Sequence, residues 1–133
     1  MIEKMTWNEA KEYAEKLTVG VHSDWHVPTL DELKTLFDYE KRKPVVEMLP
    51  SSYWSSSTYA YLPGSAWVVD FGYGYVYGSN KYYSYYVRCV RGGQFDHSGN
   101  LIIPGLAVGQ DRITVNFDGS LTDNRTGLVW EAE

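Results

Sequence analysis

Tyrosine side chains between residues 51 and 91 are the feature of this sequence best suited to molecular recognition. Ten of the twelve tyrosines lie there, and Gly, Ser and Asn are interleaved with them. Tyr offers wide amphipathic contact area at low entropic cost, while Ser, Gly and Asn adapt their hydrogen bonding, as in antibody paratopes. The run 71–86 is therefore the leading candidate for a binding face. The alternative is an ordinary β-rich stretch, since Tyr has high strand propensity, but a strand buried on both faces would contain more Val, Ile and Leu.

Residues whose types could support catalysis or metal binding are few. His22, His26 and His97 have no spacing that suggests a shared metal, and His26 is better explained as a packed or hydrogen-bonded structural residue. Ser55, His26 and Asp24 would make a triad on paper, but no nucleophile-elbow motif supports it. We therefore expect no enzymatic activity, no catalytic residues, no cofactor and no metal site.

Composition narrows the class of protein further. A chain of 133 residues is long enough for one domain that buries about two-thirds of its unfolded surface. The net charge of -5 argues against a nucleic-acid partner, which would need clustered Lys and Arg. A lone cysteine, Cys89, excludes an intramolecular disulfide and any multi-Cys metal site. No segment has the apolar length of a bilayer span, and the first residues contain no apolar stretch that could serve as a signal peptide. We therefore expect no membrane insertion and leave the compartment open.

Two helices are predicted ahead of the tyrosine-rich region. Thr6 and Glu9 form a capping box for an amphipathic helix from about Thr6 to Thr18. Thr29 and Glu32 repeat that motif at the start of a second helix. The inward stripe of the second helix would be Leu30, Leu33, Leu36 and Phe37.

From residue 53 onward the pattern changes to strands. Alternation in 66–71 places Trp67, Val69 and Phe71 on one face, toward the core. Residues 72–74 then predict a turn and 75–77 the second arm of a hairpin. The following elements would be a loop at 78–84, a final strand of the same sheet at 85–91, a hairpin at 112–123 around an Asp-Gly turn, and a closing strand at 128–130. This order indicates an α+β fold.

Five sequence blocks, taken in this order, resemble a known family: TWNEA at 6–10, DWHVPTLDEL at 24–33, YWSSS at 53–57, AWVVDF at 66–71 and YVRCVR at 86–91. They are similar to the domain that ends the Legionella collagen-like adhesin, a C-type-lectin-like domain also used by variable proteins of diversity-generating retroelements. The resemblance implies two helices packed on antiparallel hairpins in a single domain, 1–133, with its main body at 6–91 and a linker at 92–110.

The hairpin at 111–133 usually opens the family domain, whereas here it comes last. The chain is therefore either circularly permuted, with Trp130 returning beside Met5, or cut from a tandem array. Closure within the chain is favoured over strand exchange with a neighbouring molecule. Both a monomer and a strand-exchanged oligomer follow from this order of segments.

Variable proteins of this kind are diversified at adenine-containing codons, and the resemblance implies such a region between residues 61 and 85. The expected function is display of a tyrosine-rich face that binds a protein or cell-surface ligand, at a cell or virion surface of a prokaryote or phage. The alternative is a non-diversified, adhesin-like carbohydrate-binding module, so a glycan partner stays open. The implied variable, ligand-binding positions are Tyr61, Ser65, Asp70, Gly72, Tyr73, Tyr75, Tyr77, Gly78, Ser79, Asn80, Tyr82, Tyr83, Ser84 and Tyr85.

Overall fold

Both helices begin at the residues that the capping boxes predict. The computed structural model describes residues 3–133, with α1 at Trp7–Lys16 and α2 at Leu30–Lys34. Thr6 accepts a hydrogen bond from the backbone N–H of Glu9, and Thr29 accepts one from that of Glu32, so both predicted capping boxes are confirmed. No helix among the described residues is both long and apolar enough to cross a membrane.

The second helix is shorter than its apolar stripe suggests. It has five residues, because Thr35 turns its hydroxyl back to the carbonyl of Glu32 and the chain then leaves the helical path. Phe37, expected in the helix, pairs instead with Pro44 in a two-stranded sheet. Tertiary pairing therefore ends the helix after little more than one turn.

Eleven strands make up most of the regular structure of residues 3–133. They are β1 (Phe37–Asp38), β2 (Lys43–Pro44), β3 (Ser52–Thr58), β4 (Ser65–Asp70), β5 (Val76–Asn80), β6 (Val90–Gly92), β7 (Gln94–Phe95), β8 (Leu101–Ile102), β9 (Ile113–Val115), β10 (Leu121–Asp123) and β11 (Leu128–Trp130).

The strands form four separate antiparallel sheets. Two have two strands each, β1-β2 and β7-β8; the others have the orders β3-β4-β5 and β6-β11-β10-β9. The structure is thus mostly β with one helix of more than five residues. The expected α+β, C-type-lectin-like arrangement of two helices on antiparallel hairpins is therefore wrong. The second helix is a single short turn, and the chain beyond β6 adds five further strands.

Two strand boundaries also differ from expectation. Residues 78–80, predicted as loop, continue β5, because they pair with 65–67 of β4. The segment 85–91 is not the last strand of that sheet: its first two residues form isolated bridges, and Val90 begins β6 in the other large sheet. The predicted hairpin around Asp118-Gly119 and the closing strand 128–130 are confirmed as β9–β10 and β11.

The three-stranded sheet is covered on both faces, which divides the core into two apolar clusters. Trp54, Ala66 and Val68 belong to one cluster, together with α1. Tyr53, Val69 and Phe71 belong to the other, together with residues of α2 and β11. Because β4 is buried on both faces, alternation alone could not show which residues point inward. Trp67, expected in the core, is only half-buried, whereas Ala66 and Val68 are fully buried.

The last hairpin closes against the middle of the same chain. β11 pairs with β6 in the register Leu128↔Gly92 and Trp130↔Val90, and both Leu128 and Trp130 are completely buried. Glu131 directly follows β11, and its carbonyl accepts a hydrogen bond from Nε of Arg88 at 2.8 Å. The segment that follows β9 therefore completes the core from the far end of the sequence.

Candidate binding face

Most of the tyrosines in the candidate region point into solvent. The exposed fraction rises from 37% for Tyr77 to 86% for Tyr61 and Tyr82. We use the term tyrosine face for the six that are exposed: Tyr61, Tyr73, Tyr75, Tyr77, Tyr82 and Tyr83. None of the six belongs to the buried residues or to the partly buried residues packed on them in the two apolar clusters. The scaffold is therefore packed by other side chains.

The tyrosine face follows the three-stranded sheet from end to end. Tyr73 and Tyr75 lie in the β4–β5 turn, while Tyr61 lies in the β3–β4 connection at the opposite end. The backbone N–H of Lys81 donates to the carbonyl of Gly64, which brings the turn after β5 beside that connection. The six residues of β4 separate the two ends by roughly 17 Å. The exposed rings thus form two groups, with Tyr77 on β5 between them.

At one end, the β4–β5 turn is fixed by residues outside the predicted stretch. The rings of Tyr73 and Tyr75 are stacked with centroids 5.8 Å apart. Between them, the carbonyl of Gly74 accepts a hydrogen bond from the hydroxyl of Tyr39 at 3.2 Å. Tyr39 is itself 46% exposed and packs against Phe37. Nothing in the local sequence around Tyr39 shows that it extends the tyrosine face.

Three predicted positions are tied into the scaffold rather than free. The hydroxyl of Tyr77 lies 2.7 Å from that of Ser52, and the hydroxyl of Tyr85 lies 2.7 Å from that of Ser79. Ser79 is buried, and the ring of Tyr85 packs edge-on against buried Trp54. Burial is the main reason that the pKa of Tyr77 lies above its ordinary value. Ser79 and Tyr85 therefore belong to the scaffold, and Tyr77 is a member of the tyrosine face that is also hydrogen-bonded to the scaffold.

Polar candidates organise the turns that carry the exposed rings. A carboxylate oxygen of Asp70 accepts a hydrogen bond from the backbone of Gly72 at 2.7 Å, and the side-chain oxygen of Asn80 accepts one from that of Tyr82 at 2.8 Å. Each interaction fixes the chain two residues ahead, as Asx turns do. Asp70 and Asn80 therefore have structural partners already.

Gly78 lies under an aromatic pair that the sequence did not reveal. A Cβ atom at Gly78 would lie 3.2 Å from the ring of Tyr59, and that ring packs edge-on against Trp67 with centroids 4.7 Å apart. A larger residue at position 78 would have to displace Tyr59. The half-buried position of Trp67 is explained by this outer contact.

Taken together, the fourteen predicted positions differ widely in exposure. Ser65, Asp70 and Tyr85 are partly buried and Ser79 is buried. The remaining ten are exposed: Tyr61, Gly72, Tyr73, Tyr75, Tyr77, Gly78, Asn80, Tyr82, Tyr83 and Ser84.

A cleft of about 660 Å³ opens beyond Tyr39. Its walls carry carboxylate, amide and guanidinium groups beside aromatic and aliphatic surface. Arg112 is held there by both carboxylate oxygens of buried Asp123, at 3.0 Å each. The volume lies in the range of ligand pockets. The other polar side chains of the cleft are Asp31, Lys34, Thr35, Asp38, Glu40, Asn100 and Arg125.

The side chains considered for catalysis have separate structural partners. Ser55 is buried and donates to the carbonyl of Trp67. His26 lies 3.1 Å from a carboxylate oxygen of Glu32, and Asp24 pairs with Arg91 at 2.7 Å. Burial raises the pKa of the Cys89 thiol. Within residues 3–133 no three His, Cys, Asp or Glu side chains are grouped so that they could hold a metal ion.

These features describe a small β-rich domain that presents aromatic side chains from turns on an independently packed scaffold. The chain belongs to the Lcl C-terminal domain family, whose model matches residues 2–91. Membership of this family indicates an adhesin-like or ligand-binding role. No curated protein and no solved structure shows a significant match.

Proposed function

We propose that this chain is a display protein that binds a protein or cell-surface ligand through the tyrosine face, and that it is the variable protein of a diversity-generating retroelement. The observation that carries the proposal is the separation of roles between side chains. Six tyrosines are exposed on turns and an edge strand, while the core is built from residues outside that set. Side chains that lie outside the core can change without unfolding the protein.

The chemistry of the face favours binding to protein over other partners. Tyrosine is prominent among the residues that dominate binding energy at protein interfaces, because its ring buries a large area and its hydroxyl can still hydrogen-bond. The net charge of -5 disfavours a polyanionic partner such as nucleic acid or a sulfated glycan. We propose recognition without turnover.

The test replaces Tyr73, Tyr82 and Tyr83 by Ser in one variant. All three are at least 62% exposed. We expect binding to cell-surface protein captured from host-cell lysate to be lost while the thermal midpoint stays nearly unchanged. Tyr53→Ser is the matched control, because Tyr53 is completely buried and its loss should lower the midpoint strongly. A comparable drop in the triple variant would place those rings in the core and end the proposal.

The retroelement part of the proposal has its own test in DNA. A reverse-transcriptase gene near the coding sequence, with an adenine-rich near-copy of the codons for residues 61–85, is the expected finding. A genome in which the coding sequence has neither neighbour would contradict that part. The proposed binding role of the tyrosine face would still stand or fall with the triple variant.

A carbohydrate-binding role is the second candidate, and the cleft beyond Tyr39 favours it. The planar polar groups of Asn100 and Arg125 can hydrogen-bond sugar hydroxyls. The exposed ring of Tyr39, which lines the same cleft, can stack on a sugar face. A glycan array separates the two candidates. The carbohydrate role would be favoured if the protein binds neutral glycans, Tyr39→Ala abolishes this binding, and the triple tyrosine variant retains it.

A further inference from the structure

Strand β5 forms an outer edge of the three-stranded sheet. The order β3-β4-β5 leaves it paired on one side only. An edge strand presents a row of backbone N–H and C=O groups to whatever lies beside it, and proteins usually cover or blunt such a row. The backbone groups on the outer side of β5 therefore need a partner or water.

Two hydrogen bonds show which residues of β5 direct their backbone N–H and C=O groups away from β4. The N–H of Asp70 donates to the carbonyl of Tyr75 at 2.7 Å, and at the other end the N–H of Lys81 donates to that of Gly64 at 2.9 Å. Hydrogen-bonded pairs alternate along an antiparallel ladder. Tyr77 and Ser79 thus bond inward to β4.

The three remaining residues of β5, Val76, Gly78 and Asn80, direct their backbone groups away from β4. The carbonyl of Asn80 already accepts from the N–H of Tyr83. The N–H and C=O groups of Val76 and Gly78 make no hydrogen bond to any other residue between 3 and 133. Gly78 is exposed, so its outward N–H and C=O groups are accessible to a ligand backbone.

The open edge is anchored by side-chain hydrogen bonds and is flanked by aromatic rings. Two side chains of β5 hydrogen-bond to residues outside the strand: the hydroxyl of Tyr77 to that of Ser52, and the hydroxyl of Ser79 to that of Tyr85. Tyr75 precedes the strand and Tyr82 follows it, and both are exposed. A prearranged strand loses little conformational freedom when a ligand pairs with it.

We propose that the ligand of the tyrosine face is an extended segment of a protein, which adds to the sheet as a strand beside β5. This inference rests on the proposed function, because it specifies how the same face takes its ligand. Main-chain hydrogen bonds to Val76 and Gly78 give affinity in this mode, and side-chain contacts give specificity. The tyrosines at the two ends of the strand would contact the side chains of the segment.

The test uses a phage-displayed library of linear peptides as the probe. A peptide selected on the full chain is resynthesised with single backbone N-methyl groups, each of which removes one N–H donor. We expect a period of two: methylation at alternate residues weakens binding about tenfold, and methylation at the residues between them has little effect. Failure to select any linear peptide, or an N-methyl scan without alternation, would overturn the proposal.

Gly78→Pro and Gly78→Ala form the matched pair on the protein side. Both add a Cβ under Tyr59, but only proline removes the outward N–H, and edge strands tolerate proline. We expect Gly78→Ala to keep the selected peptide and Gly78→Pro to lose it. Amide exchange of Tyr77 and Ser79 reports whether the sheet is intact in each variant. If Gly78→Pro disrupts the sheet, the N-methyl scan decides alone.

The outcomes separate this inference from the proposed function. If the triple tyrosine variant loses the peptide but N-methylation has no alternating effect, the face binds by another geometry and the inference fails alone. If N-methylation alternates but the triple variant still binds, the edge binds peptide without the tyrosines and the proposed function fails. If sedimentation shows a dimer that Gly78→Pro dissociates, the strand beside β5 belongs to a second copy of this chain, which also overturns the proposed partner.

Discussion

Gly74 lies directly against the ring of Phe37. A Cβ atom at this glycine would be 2.5 Å from Cε1 of Phe37, a distance that real atoms do not adopt. Its backbone φ is +85°, a conformation that side-chain-bearing residues rarely take. Phe37 is 96% buried, so it has little room to move. The contact couples the turn that carries Tyr73 and Tyr75 to the core.

Gly74→Ala should therefore destabilise the protein by about 2–4 kcal/mol, through backbone strain and overpacking together. Chemical denaturation measures this. Gly64→Ala is the control, because a Cβ there meets nothing within 4 Å and the glycine has no positive φ; its effect should stay within about 0.5 kcal/mol. Equal effects of the two substitutions would mean that the turn is not fixed by Phe37.

We expect the His26–Glu32 pair to make stability depend on pH near neutrality. The pKa of His26 is raised above 6.5, first by its hydrogen bond to Glu32. Because the folded pKa lies above the unfolded one, this contribution is complete below about pH 6.5 and is lost as the pH rises through the folded pKa. Urea midpoints between about pH 5 and 8 measure it.

His26→Gln is the control for that titration, because Gln can still hydrogen-bond Glu32 but cannot gain a proton. We expect the variant to lose the part of the pH dependence that lies above about pH 6.5. A wild-type protein that gains stability across that interval would contradict the sign of the shift.

Arg88 is a buried charge whose partners come from distant parts of the chain. It is 2% exposed and donates to the carbonyls of Glu131 and Glu47, while its Nη1 lies 3.3 Å from the carboxylate of Glu133. Arg88→Met should cost about 3–5 kcal/mol, because it leaves the buried carbonyl of Glu131 and the carboxylate of Glu133 without this donor. Denaturation of the variant tests this directly.

Arg91→Met provides the comparison for Arg88. Arg91 pairs with Asp24, whose side chain is 61% exposed. Exposed ion pairs contribute below about 1 kcal/mol. If the two arginine substitutions cost the same, the burial of Arg88 is not what makes it important.

Local motifs predicted the parts of the fold that local interactions determine. The capping boxes at Thr6 and Thr29 place both helix starts correctly, because each bond joins residues three apart. The end of α2 depends on Phe37 pairing with Pro44, which no helical pattern contains. The α+β expectation failed for that reason and because strands of two or three residues leave little periodic signal.

The candidate site was predictable in composition but not in detail. Tyr and Gly in turns indicated which positions would be exposed, and most of the fourteen are. The sequence could not show that the hydroxyls of Ser79 and Tyr85 meet, or that Tyr39 joins the face from another element. Such contacts depend on how the strands and their connections are placed relative to one another, and sequence spacing does not specify this.

The last hairpin supplies core that the family-matched segment lacks. The family model covers residues 2–91, but buried Leu128 and Trp130 belong to the same apolar cluster as Tyr53 and Val90. A fragment of residues 1–92 should therefore be unfolded, since loss of Trp130 alone is expected to cost about 3–5 kcal/mol. Circular dichroism and tryptophan fluorescence measure whether the fragment is folded.

Adding a synthetic peptide of residues 111–133 should restore the folded signal by re-forming β11 beside β6, whereas a peptide with Trp130→Ala should not. If the fragment folds cooperatively without the peptide, residues 1–92 form a complete core and the last hairpin is not needed for folding.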